Sequence, residues 1–597
     1  MIRAFGFFAI ATALLLYGNA LEAPYQLDDQ QVLEVAARPN SSTRPLGYAT
    51  FWLSGETYNV FARVLPWQSG FYHRLVNVLI HALAATSLFW LALELTSEQL
   101  LAAWLAGIFF LVHPIQTQAT VYISQRFESL AALFMFVSAA AYVRFRRTRG
   151  LYWLAVFIAA GFAAGTTKET AFVLPLWLLL IELVFFGRAQ LSRLLIYLAP
   201  IGLAMLVPAW RVLPSVAKTF GWVALDQYWM TQGPVLVKYL ELSTWPREQF
   251  LLYDFPLVTS LSPDVVAKWF VVMAVIGLAL FFVKRQPMSG ANVSPIGRNR
   301  QKMIGFGILT FFVLLLPVLI LPIPDLIFEH RVYPAFAGLA LAAGSLFSQV
   351  RTRSVLVAVG LLTVLWGVRT VTRNSEWNDD ISFWEAQHAR FPKEPGIAVK
   401  LGAAYHLRGS VNKAIQVTEE ARRYEDRANG YYRQNTQMLV ALNLTSLYTA
   451  KRDLDRAHSE AVRAATLSPQ EPLVLKFLGA TKLTMGDSAG AAEVFRRAVN
   501  RSPDDADAWQ GLATSLAKLG DTERADIASR RVEALDKTHE DSRPQRFTIP
   551  PEYKNHVAFA LVAAILITIL VGIRSFWRVF SDARARRTVS QEVQGVL

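Results

Sequence analysis

Long apolar stretches, separated by short polar turns, make up most of the first 375 residues of the chain. Eleven of them approach the ~20 residues that a helix needs to cross a bilayer, and another lies near the C-terminus. This pattern predicts an all-α protein with a polytopic membrane domain of about 11 spans at 1–375. The eleven stretches are 4–21, 71–93, 99–113, 127–143, 151–167, 170–187, 193–209, 266–283, 303–322, 332–348 and 354–371.

The first apolar stretch has two interpretations. It follows a single arginine, and small residues come after it at Asn19, Ala20 and Ala23, as they do at the cleavage site of a secretory signal peptide. We expect the stretch to be retained as a membrane helix. A cleaved signal peptide is the alternative.

Basic residues in the short connections predict which side of the membrane each loop occupies. They occur in alternate connections, which places the polar loop 22–70 and the later ionisable clusters on the external side. The acidic turn at 94–98 is the one connection that departs from this alternation. The basic residues that set the orientation are Arg3, Arg144, Arg146, Arg147, Arg149, Arg188, Arg193, Lys284, Arg285, Arg298, Arg300, Lys302, Arg351 and Arg353.

After the membrane domain the composition changes to that of a soluble helical domain with an internal repeat. Pro469 and Pro503 are 34 residues apart, which is the period of the tetratricopeptide repeat. Small residues such as Gly479 and large ones such as Phe495 stand at the consensus places, so we predict an α-solenoid of four units at 376–540 with a concave face. The segment 422–437 interrupts the period.

The end of the chain contains a second membrane anchor in this prediction. A proline-containing spacer at 541–555 leads to a C-terminal transmembrane helix at 556–580, and a basic tail at 581–597 follows. Because the tail is rich in arginine, we expect it to be cytoplasmic. The repeat domain is then external and is tethered to the membrane at both of its ends.

Composition narrows the functional classes. Hydrophobic residues make up 53% of the chain and charged residues 17%, which is typical of an integral membrane protein. The formal charge of +14 is common in nucleic-acid-binding proteins, but these basic residues lie in turns between apolar stretches, so we expect no nucleic-acid partner. The chain has no cysteine, which excludes disulfides, thiolate metal sites and cysteine nucleophiles.

Ionisable residues cluster at the predicted external ends of several helices. Asp28 and Asp29 follow the first apolar stretch, and two adjacent carboxylates there can act as a general base or hold a cation. Taken alone, the acid pair is also consistent with a solvated loop, and each of the other clusters with an interfacial anchor. Several clusters on one face, with Arg, Lys and His beside carboxylates, favour a pocket for an anionic phosphate group.

A resemblance to a known family rests on short motifs. The longest is His113-Pro114-Ile115-Gln116-Thr117-Gln118-Ala119, followed by Arg126. It resembles the His-Pro-x-x-Thr-x-Ala element of the transmembrane and tetratricopeptide-repeat O-mannosyltransferases and their bacterial relatives in the GT-C superfamily. Further elements match in the same order over nearly the whole chain: Asp28-Asp29, Arg44-Pro45-Leu46, Lys168-Glu169, and Glu329-His330-Arg331 with Tyr333.

The resemblance implies an inverting glycosyltransferase of a bacterial inner (plasma) membrane, which takes a sugar from a polyprenyl-phosphate carrier on the periplasmic or external face. Asp28 or Asp29 would be the general base. Some relatives have an acid where this chain has Gln118, so the sugar and the acceptor stay open. The residues implied to bind the donor phosphate are Arg126, Lys168, His330 and Arg331, and the other pocket residues are Arg44, His113, Gln118, Glu169, Glu329 and Tyr333.

The family resemblance leaves the partners and cofactors partly open. We expect membrane lipid, a polyprenyl-phosphate-linked sugar and a protein acceptor recruited by the repeats. No cofactor is implied with certainty, although two carboxylates are able to hold a divalent metal ion. Two alternatives remain: a non-enzymatic membrane scaffold for envelope, pilus or secretion assembly, and a transferase that acts on lipid or glycan.

Overall fold

The structure is a computed structural model of the chain. It describes residues 1–36, 44–61, 68–96, 99–187, 220–284, 295–348, 353–428 and 431–541, with short pieces between 198 and 217. Within these ranges every regular element is helical, which confirms the all-α class. The predicted C-terminal transmembrane helix 556–580 and the basic tail lie outside the described residues.

The described chain forms two compact units. The first, the membrane unit, holds Met1–Leu251 and Phe255–Asn378. The second, the repeat unit, holds the three residues Leu252–Asp254 and the chain from Asp379 onward.

Helices of the membrane unit account for most of its described residues. The helices are α1 (Ile2–Tyr17), α2 (Asp29–Ala36), α3 (Pro45–Phe61), α4 (Ser69–Leu95), α5 (Leu100–Val112), α6 (Thr117–Val121), α7 (Arg126–Thr148), α8 (Leu151–Gly165), α9 (Leu174–Ile181), α10 (Leu225–Thr244), α11 (Pro263–Lys284), α12 (Pro295–Ile320), α13 (Val332–Phe347) and α14 (Arg353–Ser375).

Seven of the described helical segments are long and apolar enough to cross a bilayer, and an eighth crossing results if one bent pair counts as a single span. These segments make the chain a multi-pass membrane protein. The predicted count of eleven spans is not confirmed. The seven are Ile2–Ala20, Ser69–Leu95, Ile123–Thr148, Glu169–Phe186, Pro263–Lys284, Gln301–Ile320 and Arg353–Asn378.

A sharp bend follows α5 at the residue where the predicted apolar run 99–113 ends. The axis of Leu100–Val112 and that of Pro114–Val121 differ by 52°. Pro114 has no N–H to continue a helix, and the side chain of His113 accepts the backbone N–H of Ile115 at 3.2 Å. The chain therefore leaves the direction of α5 and forms a buried polar turn.

Close packing of α12 against α13 fixes the start of α13 in the membrane unit. A Cβ built on Gly307 would lie 2.4 Å from the carbonyl oxygen of Gly338, so the two backbones are in contact. The residues Glu329–Arg331, which the sequence predicts to line a pocket, form a 3-10 turn immediately before α13.

The repeat unit contains antiparallel helix pairs, which confirms a helical region of the tetratricopeptide type. A Cβ on Gly479 would lie 2.9 Å from the ring of Phe495, and one on Gly511 would lie 2.4 Å from it, so small residues admit the large ring as predicted. The helices are α15 (Asp380–Arg390), α16 (Pro395–Leu407), α17 (Val411–Tyr424), α18 (Arg433–Ala450), α19 (Leu454–Leu467), α20 (Pro472–Thr484), α21 (Ser488–Arg501), α22 (Ala506–Lys518) and α23 (Thr522–Asp541).

Candidate functional site

Residues 113–126, which we call the central turn, lie at the centre of the candidate site. They form two 3-10 turns, Pro114–Gln116 and Ile123–Gln125, on either side of the short helix α6. Every side chain in this stretch except that of Gln125 is buried. Side chains from three distant parts of the membrane unit hydrogen bond to it, as the next paragraphs show.

The environment of Asp29 is closed. Its side chain is fully buried, Oδ2 accepts the N–H of Gln26 at 3.0 Å, and Oδ1 accepts the N–H of Ser124 at 2.8 Å. Burial raises the pKa of Asp29 to about 7, although the two N–H groups and the charge of Arg74 favour the ionised form. Both oxygens of Asp29 are therefore used to join its loop to the central turn.

The environment of Asp28 is more open. Its side chain is exposed, and Oδ1 accepts a hydrogen bond from the hydroxyl of Tyr122. Burial and the two carboxylates raise the pKa of Tyr122 well above 10, so the phenol keeps its proton. Among the residues that the structure describes, none hydrogen bonds the second oxygen, Oδ2. Asp28 is thus oriented through one oxygen only.

Arg74 on α4 is a positioning residue that the sequence analysis missed. It is 1% exposed, and it donates to the carbonyl oxygens of Val121 at 3.0 Å and Pro24 at 2.7 Å. It therefore ties the loop that carries Asp28 and Asp29 to the central turn. An arginine close to the start of a long apolar helix is the sequence signal that points to such a role.

Arg126, predicted to bind phosphate, is instead enclosed by protein groups. It is fully buried, and all three guanidinium nitrogens donate to the membrane unit. Its position favours a role in holding α3 and α4 to the start of α7. Its contacts are Asn77 Oδ1 at 2.6 Å, the Thr50 carbonyl at 2.8 Å, Ser54 Oγ at 2.9 Å, the His73 carbonyl at 2.7 Å and the Phe51 ring at 4.1 Å.

Two ion pairs involve the successive residues Lys168 and Glu169. Lys168 Nζ lies 2.7 Å from Glu128 Oε2 and donates to Gln125 Oε1 at 3.3 Å. Glu169 accepts hydrogen bonds from both Nε and Nη2 of Arg44, at 3.0 and 2.5 Å. Lys168 is therefore attached to the central turn through Gln125, while Arg44 and Glu169 form a forked pair.

The 3-10 turn before α13 attaches to the central turn through Gln118. Its side-chain oxygen Oε1 accepts the backbone N–H of His330 at 2.6 Å and ring Nδ1–H of His330 at 3.0 Å. Burial and the positive charges of Lys168 and Arg331 lower the pKa of His330 well below 6.5. His330 is consequently a neutral ring, whereas the prediction had grouped it with the cations.

The neighbours of His330 have different surroundings. Glu329 is buried and accepts the side-chain N–H of Gln249 at 2.9 Å and the backbone N–H of Phe250 at 2.7 Å. Arg331 donates to the carbonyl of Asp325 and lies 5.1 Å from the ring of Phe328. Glu329 therefore holds the loop that contains Gln249 and Phe250. Among Glu329, His330 and Arg331, it is Arg331 that carries a positive charge.

His113 and Tyr333 take part in helix packing. The ring of His113 lies 4.3 Å from that of Phe336 and 4.5 Å from that of Trp366. The hydroxyl of Tyr333 and His81 Nδ1 are 2.8 Å apart. Both residues are fully buried, so we assign each a role in packing the helices that carry the site.

The structure thus brings three of the predicted clusters to one short segment. Tyr122 bonds Asp28, Gln125 bonds Lys168, and Gln118 bonds His330. Residues 118–125 at ~1.5–2.0 Å per residue span roughly 10–14 Å. Among the described residues, no group of three or more His, Cys, Asp or Glu side chains is arranged to hold a metal ion.

Comparison with curated proteins finds distant relatives over part of the chain. Protein O-mannosyl-transferase TMTC2 of Homo sapiens is 28% identical over 213 residues, which cover 31% of this chain and 24% of that protein. Its Mus musculus counterpart is 28% identical over 217 residues. Heat shock protein STI1 of Saccharomyces cerevisiae is 26% identical over 149 residues, 25% of this chain and 22% of that protein. The chain spans about a quarter of the length of these relatives. No protein-family model matches.

Solved structures of MamA are similar to part of the chain. One is 21% identical and covers 27% of this chain and 86% of its own, with a TM-score of 0.22. Another is 17% identical and covers 28% of this chain and 94% of its own, with a TM-score of 0.24. At such TM-scores this likeness carries no argument about function.

Proposed function

We propose that the protein is an inverting membrane glycosyltransferase that moves a sugar from a polyprenyl-phosphate-linked donor to an acceptor hydroxyl on the external face. The observation that carries the proposal is the central turn, which joins an exposed carboxylate, Asp28, to a lysine, Lys168, and to the turn that holds Arg331. A base and cations attached to one short segment suit transfer from a phosphate leaving group. The distant homology to protein O-mannosyl-transferase TMTC2 supports the same class.

The general base in this proposal is Asp28. A pKa near 7 also suits Asp29 for base catalysis, but both oxygens of Asp29 are occupied by backbone N–H groups and its side chain is fully buried. Asp28 has one oxygen oriented by Tyr122, which leaves Oδ2 for the acceptor. We therefore assign proton removal to Asp28 and positioning of the loop to Asp29.

The chemical step follows from this assignment. The acceptor oxygen attacks the anomeric carbon from the face opposite the phosphate, and its proton passes to Asp28. The bond between the anomeric carbon and the phosphate oxygen breaks, and its electron pair leaves with the phosphate. Lys168 and Arg331 offset the charge that develops there. Arg126 acts at a distance, by holding α7 in place.

The mechanism is tested by transfer from short-chain polyprenyl phosphate mannose or glucose that is labelled in the sugar, with proteins of the native membrane as acceptors. We expect release of polyprenyl phosphate together with a labelled product, and loss of both in the double variant Asp28→Asn with Asp29→Asn. Label recovered in lipid or glycan would favour the alternative class of acceptor. Full transfer by the double variant would end the catalytic assignment of the two carboxylates. Absence of transfer by the wild-type protein would favour a scaffold.

We further propose that the repeat unit recruits a protein acceptor. Its last two helix pairs form an open cavity of about 330 Å³, where apolar side chains lie beside two arginines. Such a surface suits a peptide with an apolar anchor and an acidic neighbour. The lining residues are Arg496, Trp509, Leu512, Leu516, Arg524, Ile527 and Ala528.

The recruitment proposal is tested at Ile527, which lines the cavity and is 55% exposed. We expect Ile527→Glu to reduce transfer to protein severalfold while donor binding stays the same. Val462 on α19 is 44% exposed and does not line the cavity, so Val462→Glu is the matched control. Equal transfer by both variants would show that the cavity does not select the acceptor.

A further inference from the structure

We infer that His330 recognises the sugar of the donor, by accepting a hydrogen bond from the hydroxyl next to the anomeric carbon, and does not bind the phosphate. The inference rests on the proposed function and deepens it, because it names the part of the donor that this side chain contacts. Its basis is the tautomer of the ring, which the contacts of Gln118 determine.

Gln118 fixes which ring nitrogen of His330 carries the proton. Its Nε2 donates to the carbonyl of Leu251 at 3.3 Å, so its Oε1 is the atom that meets His330. That oxygen accepts both the backbone N–H and the ring Nδ1 of His330, at 2.6 and 3.0 Å. An amide oxygen only accepts, so Nδ1 carries the proton and Nε2 presents a lone pair.

The surroundings of the ring keep it neutral. It stacks on Phe328 with centroids 4.9 Å apart and planes inclined by 29°. Burial and the charges of Lys168 and Arg331 both oppose protonation. In this neutral ring Nε2 carries a lone pair. The lone pair repels phosphate oxygens and attracts a hydroxyl or amide hydrogen. His330 is therefore unsuited to bind the phosphate and suited to accept a hydrogen bond from a hydroxyl or amide group.

The position of His330 selects which hydroxyl it contacts. Lys168 and Arg331, the cations that act on its ring, are also the residues to which we assign the phosphate. In a glycosyl phosphate the phosphate is attached to C1, and the nearest hydrogen-bond donor on the sugar is the hydroxyl on C2. A side chain beside the phosphate cations thus meets the C2 hydroxyl before any other.

Two substitutions separate the ring nitrogens. His330→Asn keeps a short amide that can donate to Gln118 and deletes the acceptor at the position of Nε2. His330→Gln extends to that position and restores an acceptor there. The probes are short-chain prenyl phosphate esters of mannose and of glucose, their common 2-deoxy analogue, and the same prenyl phosphate without sugar. Binding to the purified full-length protein is measured for each.

We expect the wild-type protein to bind a 2-hydroxyl donor about tenfold more tightly than the 2-deoxy analogue, as for one neutral hydrogen bond. In His330→Asn the ratio of the affinity for a 2-hydroxyl donor to that for the 2-deoxy analogue should fall to about one. In His330→Gln this ratio should rise part of the way back to the wild-type value. Prenyl phosphate without sugar should bind equally to all three proteins. Unchanged thermal unfolding of the variants shows that the fold is retained.

Weaker binding of prenyl phosphate alone to His330→Asn would overturn the inference, because it would make the ring a phosphate ligand. Undiminished discrimination by His330→Asn would overturn it too, since another group would then bind the C2 hydroxyl. Failure of the wild-type protein to bind any of the glycosyl phosphates is a different outcome, which removes the proposed function and this inference with it.

Discussion

A carboxylate paired with a tyrosine lies near each end of α7, in two different arrangements. At its end, Arg146 and Glu182 form a closed pair with contacts of 2.6 and 3.1 Å, and Tyr142 donates to the same carboxylate at 2.7 Å. Just before its start, Tyr122 donates to Asp28 in a similar way. The cluster at the end satisfies both carboxylate oxygens, whereas Asp28 keeps one oxygen without a described partner.

This difference separates structural from functional charge. The side chains of Arg146 and Glu182 are 2% and 0% exposed, and the guanidinium also lies 4.8 Å from the ring of Phe186. A pair enclosed in this way has no group left for a substrate. A tyrosine partner is common to both ends of α7, so it does not identify a site by itself. In our proposal the site is marked by the exposed carboxylate of Asp28, which has one oxygen without a described partner.

Asp28→Asn should produce the largest effect and tests the comparison directly. Asparagine keeps an oxygen for the hydroxyl of Tyr122 and cannot accept a proton, so we expect turnover to fall by ~10²- to 10⁴-fold. Thermal unfolding should change little, because the side chain is exposed and its orienting hydrogen bond is kept. Turnover near the wild-type rate would show that both ends of α7 are structural.

Glu182→Gln should lower stability and leave turnover nearly unchanged, the opposite of the result expected for Asp28→Asn. Removing one charge of a buried pair leaves Arg146 buried without its partner, which costs about 3–5 kcal/mol of stability. Turnover per folded molecule should stay close to that of the wild type. The measurement pairs thermal unfolding with single-turnover transfer on the detergent-solubilised protein. A loss of turnover without a loss of stability would contradict the structural role of this end.

The sequence predicts the composition of the site better than the role of each residue in it. The motif from His113 to Arg126 marks the segment that proves central, because a polar run beside apolar helices is unusual. The closed contacts of Arg126 were not predictable, since its partners Asn77, Ser54 and His73 lie on helices whose register the sequence does not specify. The same holds for the neutral state of His330.

The fold, like the site, could be predicted from the sequence only in part. The 34-residue spacing predicts the helical repeats, since each unit repeats the same contact, as Gly479 and Phe495 show. The count of eleven spans stays unconfirmed, because part of the run 193–209 lies outside the described residues and hydropathy alone does not detect where a run bends. The bend of 52° after Val112 is an example, and it depends on Pro114 and on the capping side chain of His113.

Asp29 should make stability depend on pH. Its folded pKa of about 7 lies above the ordinary unfolded value, so the folded state holds the proton more tightly. The stabilisation is fully present at pH below about 4 and is lost as the pH rises towards 7, by about 4 kcal/mol in total. Unfolding measured across this range should show the slope, and Asp29→Asn should flatten it. A wild-type protein that gains stability over the same range would contradict the closed environment of Asp29.

The smallest expected effect compares the two tyrosines. Tyr122→Phe removes the hydroxyl that orients Asp28, and Tyr142→Phe removes the hydroxyl that bonds Glu182. Each loss costs about 1–2 kcal/mol, because the acceptor is a carboxylate. At Tyr122 we expect about a tenfold fall in turnover, with donor affinity unchanged and the pH–rate profile altered.

The pH profile distinguishes this role from a structural one. The groups that face Asp28 are Tyr122, Tyr48, Asp29 and, through Asp29, Arg74, and Tyr122→Phe alters the first of these only. Because the phenol contacts the carboxylate to which we assign the acceptor proton, its loss should change the pH–rate profile. Tyr142→Phe should lower the unfolding temperature and leave the profile unmoved, since Glu182 does not contact substrate in this proposal. If both variants shift the profile equally, the two ends of α7 act through a common change in the helix, and the distinction between a closed and an open carboxylate is wrong.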